Sequence, residues 1–325
     1  MQAFNLLQPS TLDDAIVAAQ VQGTKYIAGG SDLMQLMKDN VEVPTQLVDL
    51  EGVGLADIDA NASRLRLGAM ARMSDVAAHP AVRERWPVIA EALLASASPQ
   101  VRNMGTVGGN LLQRTRCSYF RDTGFTCNKR QPGSGCPAIK GESRMLAILG
   151  VSDQCIASHP SDLPVALMAL DATLALRGAN GARRQVPIAD FYRLPGDAPD
   201  VETVLAPGEL IESVTIADTP AARNSHYLKV RDRASFEFAL VSAAVALETS
   251  GGTVQDVRVA AGGVGARPWR LPEVEAALRN ATPSDGALRE ASARAGVGAR
   301  TTEQNTFKLT LLRRAILRAL QTVSA

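Results

Sequence analysis

The passage that most constrains the fold is Lys25-Tyr26-Ile27-Ala28, a short apolar run that enters Gly29-Gly30-Ser31 and continues through Asp32, Leu33, Leu36 and Met37 at helical spacing. This order predicts a strand, a glycine turn and a helix start. Gln46-Leu47-Val48-Asp49-Leu50 follows as a second strand, so a small β-α-β unit is expected to close near Gly54. A helix N-terminus carries free N–H groups and partial positive charge, and two glycines let a ligand approach the backbone. The passage therefore suits either a plain turn or a diphosphate cradle.

A second glycine-rich stretch, Gly105-Thr106-Val107-Gly108-Gly109-Asn110, offers more backbone donors together with the side-chain oxygens of Thr106 and Asn110. It reads as a tight loop or as the other half of a dinucleotide site. Neither stretch contains the G-x-G-x-x-G fingerprint of a Rossmann fold. Ser10 with Asp13 is expected to cap a first helix over 12–20, Arg64–Gly68 to form a half-exposed strand, and Trp86–Ala97 a helix. Ser161 or Asp162 reads as the N-cap of a helix through Leu167 and Leu170, and 193–207 as an exposed loop. Strands are expected at 172–176, 210–216, 227–230, 241–247 and 254–261. Three helical segments follow, the last placing Leu312, Ala315, Ile316, Ala319, Leu320 and Val323 on one face.

All four cysteines, Cys117, Cys127, Cys136 and Cys155, lie in one stretch between these motifs, separated by nine, eight and eighteen residues. No C-x-x-C pair exists, so spacing leaves a [4Fe-4S] cluster, structural zinc and two disulfides open. Between Arg114 and Cys155 seven basic residues face three acidic ones, an excess expected to lower thiol pKa values and offset the charge of a thiolate cluster. The Pro132–Gly135 stretch is expected to wrap the sulfurs with N–H groups. His79, His159 and His226 stand in no catalytic pattern and read as surface or packing residues, which argues against a stand-alone flavin oxidase.

Composition limits the partners. With 34 basic and 33 acidic residues the chain has no electrostatic signature of nucleic-acid or anionic-membrane binding. An apolar content of 46% supports large cores without disulfide staples, and neither a signal-like start nor a spanning apolar run is present.

In order, Ala28-Gly29-Gly30-Ser31-Asp32-Leu33, Thr106-Val107-Gly108-Gly109-Asn110-Leu111 and Ser161-Asp162-Leu163-Pro164 resemble the FAD-binding medium subunit of the xanthine dehydrogenase and carbon monoxide dehydrogenase family of molybdenum hydroxylases. The resemblance implies an α+β chain. A two-subdomain FAD-binding fold of the vanillyl-alcohol-oxidase type (1–54 and 55–221) would precede a C-terminal α+β domain (222–325) with an antiparallel sheet and helices. It further implies that Tyr26, Ile27, Ala28, Gly29, Gly30, Ser31, Asp32 and Leu33 wrap the FAD diphosphate. Thr106, Gly108, Gly109 and Asn110 would complete that cradle, with Asp162 bonding the flavin side and Ile211 or Leu210 touching the isoalloxazine ring. Lys229 would lie near the flavin. The family's ring-stacking aromatic residue falls at Ser96, where this chain has none.

Residues 112–157 form an insertion relative to most of that family, and its phrasing resembles the [4Fe-4S]-bearing loop in flavin subunits of periplasmic aldehyde oxidoreductases. A similar loop occurs in 4-hydroxybenzoyl-CoA reductases. The resemblance implies Cys117, Cys127, Cys136 and Cys155 as cluster ligands, a molybdenum-cofactor large subunit, a small subunit with two [2Fe-2S] clusters, and an external electron acceptor. It also implies a periplasmic location by co-export with a signal-bearing partner, and otherwise a cytoplasmic one.

Overall fold

A computed structural model describes all 325 residues. The first part is a three-stranded parallel sheet in the order β1 (Asn5–Leu7), β3 (Gln46–Asp49), β2 (Thr24–Ile27). Crossover helices Leu12–Ala18 and Leu33–Lys38 join the strands. The first helix is capped one residue later than the sequence suggests: Thr11 Oγ1 accepts the Asp14 N–H at 3.1 Å, so the Thr11–Asp14 pair, not Ser10 and Asp13, forms the box. Gly30 takes φ +65° at the turn after β2, a left-handed conformation that glycine adopts at little cost.

The second part is an antiparallel five-stranded sheet in the order β4 (Ile58–Ala60), β5 (Arg64–Gly68), β8 (Leu210–Ala217), β6 (Thr173–Arg177), β7 (Arg183–Pro187). Against it pack the Pro87–Ala95 and Leu163–Ala169 helices, both strongly apolar and largely buried. Fully buried Trp86 precedes the first of these and donates its indole N–H to Ala217 O at 3.0 Å.

A second antiparallel sheet runs β12 (Trp269–Arg270), β11 (Thr253–Gly262), β10 (Val241–Ser250), β9 (Ser225–Val230). Residues 241–247 are buried without interruption, because β10 is covered on both faces. Ala244 and Ala246 enter the core of the five-stranded sheet, whereas Ala243, Val245 and Leu247 enter that of the C-terminal helices. The period-2 alternation of one strand thus cements two layers. The final helix, Phe307–Ser324, buries Leu312, Ala315, Ile316, Ala319, Leu320 and Val323 while Arg313, Arg314 and Arg318 stay outside, as its periodicity predicts. No helix is long and apolar enough to cross a membrane.

Candidate cofactor site

A cavity of about 1080 Å³ opens where the parallel sheet, the five-stranded sheet and the C-terminal sheet meet. Tyr26–Leu33 line one side, Gly105, Thr106 and Gly108–Arg116 the floor, and Lys229, Arg233 and Phe236–Phe238 the C-terminal side. At the strand-to-helix turn, none of the N–H groups of Gly29, Gly30, Ser31, Asp32 and Leu33 donates to a backbone acceptor. Five adjacent free donors at a helix start form a concavity suited to an anion. Gly29 also sets the seam between the two glycine stretches: a Cβ there would stand 2.0 Å from Met104 O.

The second stretch behaves differently from the sequence expectation. Its residues turn into a short helix, Val107–Leu111, and its donors are spent internally: Val107 N on Ala71 O, Gly108 N on Ala69 O, Gly109 N on Thr106 Oγ1, Asn110 N on Thr106 O. It therefore contributes shape and side chains rather than a second nest. A Cβ on Gly108 would meet Ala69 at 3.0 Å, so glycine lets this floor lie against β5's end. Asn110 Oδ1 is buried with no protein partner, an acceptor left open beside the cavity.

Asp162 sits deep on the opposite wall; it occupies the expected N-cap position of the Leu163–Ala169 helix, but its side chain makes no capping hydrogen bond. Its carboxylate accepts Tyr227 Oη at 2.6 Å, Lys229 Nζ at 2.8 Å and Ser96 Oγ at 2.9 Å. Ser161 likewise caps nothing and donates to Asn110 O at 2.7 Å, tying the helix that carries Asp162 to the cavity floor. Burial, and then the neighbouring Asp162 charge, push the Tyr227 hydroxyl pKa well above its ordinary value, so it remains a donor. Lys229 also donates to Ala95 O at 3.1 Å and is almost fully buried. Where the sequence leaves no aromatic residue, Ser96 supplies one of Asp162's donors. Ile211 and Leu210 line the same cavity from buried positions in β8.

Asp32 faces the other way. Its carboxylate accepts the Arg114 N–H at 2.7 Å and Arg121 Nη2 at 2.8 Å, and pairs with Arg116 Nη1 at 2.7 Å. The side chain anchors the cysteine insertion, leaving the Asp32 N–H for a ligand. Arg114 pairs in turn with Glu42 and, at 2.5 Å, with Glu202, which also holds Lys129 at 2.9 Å. Glu202 sits in the stretch expected to be an exposed loop, and its middle is pinned here instead. The basic excess of the insertion is thus largely spent on binding the loop to the frame.

The four cysteines are free thiols around one small void of about 10 Å³, the size of a single water. Cys117, Cys127 and Cys155 are buried in an apolar cluster with Phe120, Ala138 and Leu146, and Cys136 packs at its edge. Burial pushes the Cys117 thiol up to about 11 and raises those of Cys136 and Cys155; of the positive charges expected to lower them, Lys129 acts on Cys155, where burial outweighs it. The N–H donors to sulfur also differ from the expected glycine wrap. Ala157 donates its N–H to Cys155 Sγ at 3.5 Å, and the N–H groups that draw the thiol pKa values down beside Cys117 (Tyr119, Phe120) and Cys136 (Ala138, Ile139, Ile156) also lie outside the glycine stretch. The wrap is spent on Ser134 N to Gln131 O and Gly135 N to Asn128 Oδ1. No three Cys, His, Asp or Glu side chains are gathered closely enough to hold a single metal ion. Lys129, Cys155 and Ala157 line both this void and the large cavity, so the two sites share a wall.

His159, read from the sequence as a surface or packing residue, is a packing group: it lines the large cavity edge-on to Tyr192 (centroids 4.7 Å apart), and burial lowers its pKa to about 4, so it is neutral. Sequence reasoning missed other residues of this frame. Tyr192, Lys129 and Glu202 carry no local motif and are brought in only by tertiary packing.

Residues 2–218 match the family described as the FAD binding domain in molybdopterin dehydrogenase, and residues 226–323 match the CO dehydrogenase flavoprotein C-terminal domain. The aldehyde oxidoreductase FAD-binding subunit of Escherichia coli (strain K12) is 47% identical over 97% of this chain and 96% of its own. The glyceraldehyde dehydrogenase medium chain of Sulfolobus acidocaldarius is 27% identical over 84% of this chain and 79% of its own. In carbon monoxide dehydrogenase from Hydrogenophaga pseudoflava a 25% identical chain superposes with a TM-score of 0.77, covering 99% of this chain and 97% of that one. With the open donor nest, the Asp162–Lys229 wall and the three-sheet frame, these matches establish that the chain belongs to the FAD-binding medium-subunit family of the molybdenum hydroxylases, a family of oxidoreductases.

Proposed function

We propose that this chain is the flavin-carrying electron-transfer subunit of a heterotrimeric molybdenum aldehyde oxidoreductase, with FAD in the large cavity and a [4Fe-4S] cluster among the four cysteines. The observation that carries the flavin half is the run of free N–H groups from Gly29 to Leu33 facing a cavity of dinucleotide size. FAD, when bound, supplies the electron-carrying chemistry. The chain's own residues position it. Tyr26–Leu33 bind the diphosphate, with Tyr26 held by its hydroxyl on Gly208 O at 2.8 Å. Thr106, Gly108, Gly109 and Asn110 shape the floor, Ile211 gives an apolar face, and Asp162 fixes the Lys229 ammonium beside the flavin.

Aldehyde specificity for the complex is supported by the 47% identical aldehyde oxidoreductase subunit, which matches across the insertion as well. The partners are then a large subunit with the molybdenum cofactor and a small subunit with two [2Fe-2S] clusters. Electrons enter from the small subunit and leave to an external acceptor. The parts 1–54, 55–221 and 222–325 serve as two flavin-binding subdomains and a closing domain, and co-export with a signal-bearing partner places the complex in the periplasm.

The cluster assignment rests on the donor set: four cysteines on one void, backbone N–H groups aimed at sulfur, and an apolar shell. A tetrahedral zinc needs four sulfurs within about 2.3 Å of one point, which the absence of any compact ligand group disfavours. A polynuclear iron–sulfur core would hold its thiolates further apart than a single zinc ion does, with Cys117, Cys127, Cys136 and Cys155 as its ligands. Replacing Cys136 with serine in the purified complex tests this. Iron and acid-labile sulfide should fall while FAD remains, and unchanged iron content removes Cys136 from the ligand set.

A further inference from the structure

Beyond its core-facing stripe, the C-terminal helix begins with polar groups buried against the cysteine insertion. Lys308 is fully buried, and its Nζ donates to Met145 O at 2.9 Å, Leu146 O at 3.0 Å and Gly263 O at 2.7 Å. Three donors meet three carbonyls and no carboxylate. Just before the helix, Gln304 Oε1 accepts the Ser143 N–H at 2.9 Å, and the hydroxyls of Thr302 and Ser143 lie 2.7 Å apart. Asn305, also fully buried, reaches Ser143 O and Ala147 O at 3.4 Å. Every one of these contacts lands on 143–147 or on the Gly263 turn, mostly on backbone atoms.

Burying an ammonium without a counter-charge is costly, and burial lowers the Lys308 pKa to about 7, with Arg144 acting in the same direction. The apolar stripe from Leu312 to Val323 seats the helix in a core that already takes in Ile148 and Leu149 of the insertion, whose N–H groups both donate to Val264 O, at 2.8 and 2.9 Å; the helix start adds polar contacts just before them. What the buried lysine adds is a grip on the chain between Cys136 and Cys155. Within the gripped segment, Leu146 packs in the same apolar cluster as Cys117, Cys127 and Cys155. Ala147 donates its N–H to Ile156 O at 2.9 Å, one residue from Cys155.

We infer that Lys308 and Asn305 are positioning residues for the cysteine site: the start of the C-terminal helix clasps the exit of the insertion and fixes where its last cysteine stands relative to the other three. The insertion is then not a self-contained loop but one completed by a separate domain. The iron readout of this inference rests on the cluster reading above, whereas its thiol readout does not.

The test uses the purified complex carrying Lys308→Met or Asn305→Ala, with Leu320→Ala as a control that weakens the same helix twelve residues beyond Lys308, near its far end. Both clasp variants should lose iron to a chelator about tenfold faster than wild type, the size of effect seen when a supporting contact around a metal site is removed. After metal depletion, their four thiols should react with a thiol-labelling reagent several-fold faster, with FAD content unchanged. Leu320→Ala should lower thermal stability and change neither rate. If Lys308→Met does not assemble, Asn305→Ala alone decides. Iron loss and labelling at wild-type rates in a folded clasp variant, or equal acceleration in Leu320→Ala, overturn the inference. Absence of iron from the wild type overturns the cluster reading instead, and leaves the clasp to be judged by labelling.

Discussion

Gly29→Ala is the sharpest perturbation of the flavin site. The added methyl would stand 2.0 Å from Met104 O, 2.6 Å from Met104 C and 3.1 Å from Gly105 Cα. All three are backbone atoms, so no rotamer change relieves the overlap. Met104 O is further held by Arg72 Nη1 at 2.6 Å, and Arg72 pairs with Glu51. Restoring an ordinary contact requires the two glycine stretches to part by roughly 1 Å, an overpacking that costs about 1–3 kcal/mol. That displacement widens the seam along which the Gly29–Leu33 donors face the cavity. FAD affinity should fall about tenfold or more, equivalent to about 1.4 kcal/mol, and the unfolding midpoint by about 3–8 °C. Fluorescence titration of the deflavinated complex with FAD measures the first, and a thermal scan the second. Gly286→Ala is the matched control: its methyl meets only Ser284 Oγ, at 3.9 Å, within a helix, so stability should rise by about 0.5–1 kcal/mol with FAD binding unchanged. Wild-type FAD affinity in Gly29→Ala would refute the close-approach reasoning.

Other substitutions separate the remaining contacts. Asp32→Asn keeps the shape but removes the charge that the Arg116 and Arg121 guanidinium groups share and that the Arg114 backbone N–H also meets, and should cost about 2–4 kcal/mol. Limited proteolysis should then cut within the insertion first, while FAD affinity stays near wild type. A large loss of FAD affinity with an intact insertion would place the carboxylate on the ligand instead. Tyr227→Phe strips a buried donor from Asp162 and should lower stability by about 1–2 kcal/mol in urea denaturation. Lys308 gives a pH signature. Its folded pKa of about 7 lies below the unfolded value near 10.4, so between those limits the unfolded chain binds more protons. Stability contributed by this group therefore rises with pH from about 7 to 10, by up to about 1.4 kcal/mol per pH unit, and is flat below 7. Urea midpoints at several pH values should show that slope in wild type and lack it in Lys308→Met. Parallel profiles contradict the assignment.

Much of the frame was legible from the chain because local and tertiary demands agree. The β2–turn–helix passage follows from an apolar run meeting two glycines, and the last helix from a 3.6-residue stripe that the core then buries. The five free donors of the first turn follow from the same logic. The second glycine stretch misled, because glycine frequency says nothing about where N–H groups point, and here Ala69 and Ala71, just past β5, take two of them and Thr106 the other two. Asp162 misled for a related reason: a carboxylate before a helix reads as a cap until Tyr227 and Lys229, more than sixty residues away, are brought to it. In the insertion the sequence shows charge but not its pairing. Seven basic residues suggest thiolate stabilisation, whereas Arg114, Arg116 and Arg121 are consumed by Asp32, Glu42 and Glu202. Lys308 had no signal beyond one lysine near a helix start, since its partners are main-chain carbonyls.

The most direct measurement is the anaerobic visible spectrum of the purified complex before and after adding an aldehyde, with flavin, iron and molybdenum counted in the same sample. A flavin band near roughly 450 nm over broad iron–sulfur absorbance, bleaching as aldehyde is added, is the predicted result. A colourless protein, or a flavin band that aldehyde leaves unchanged while molybdenum is present, would contradict the assignment as the electron-transfer subunit of an aldehyde oxidoreductase.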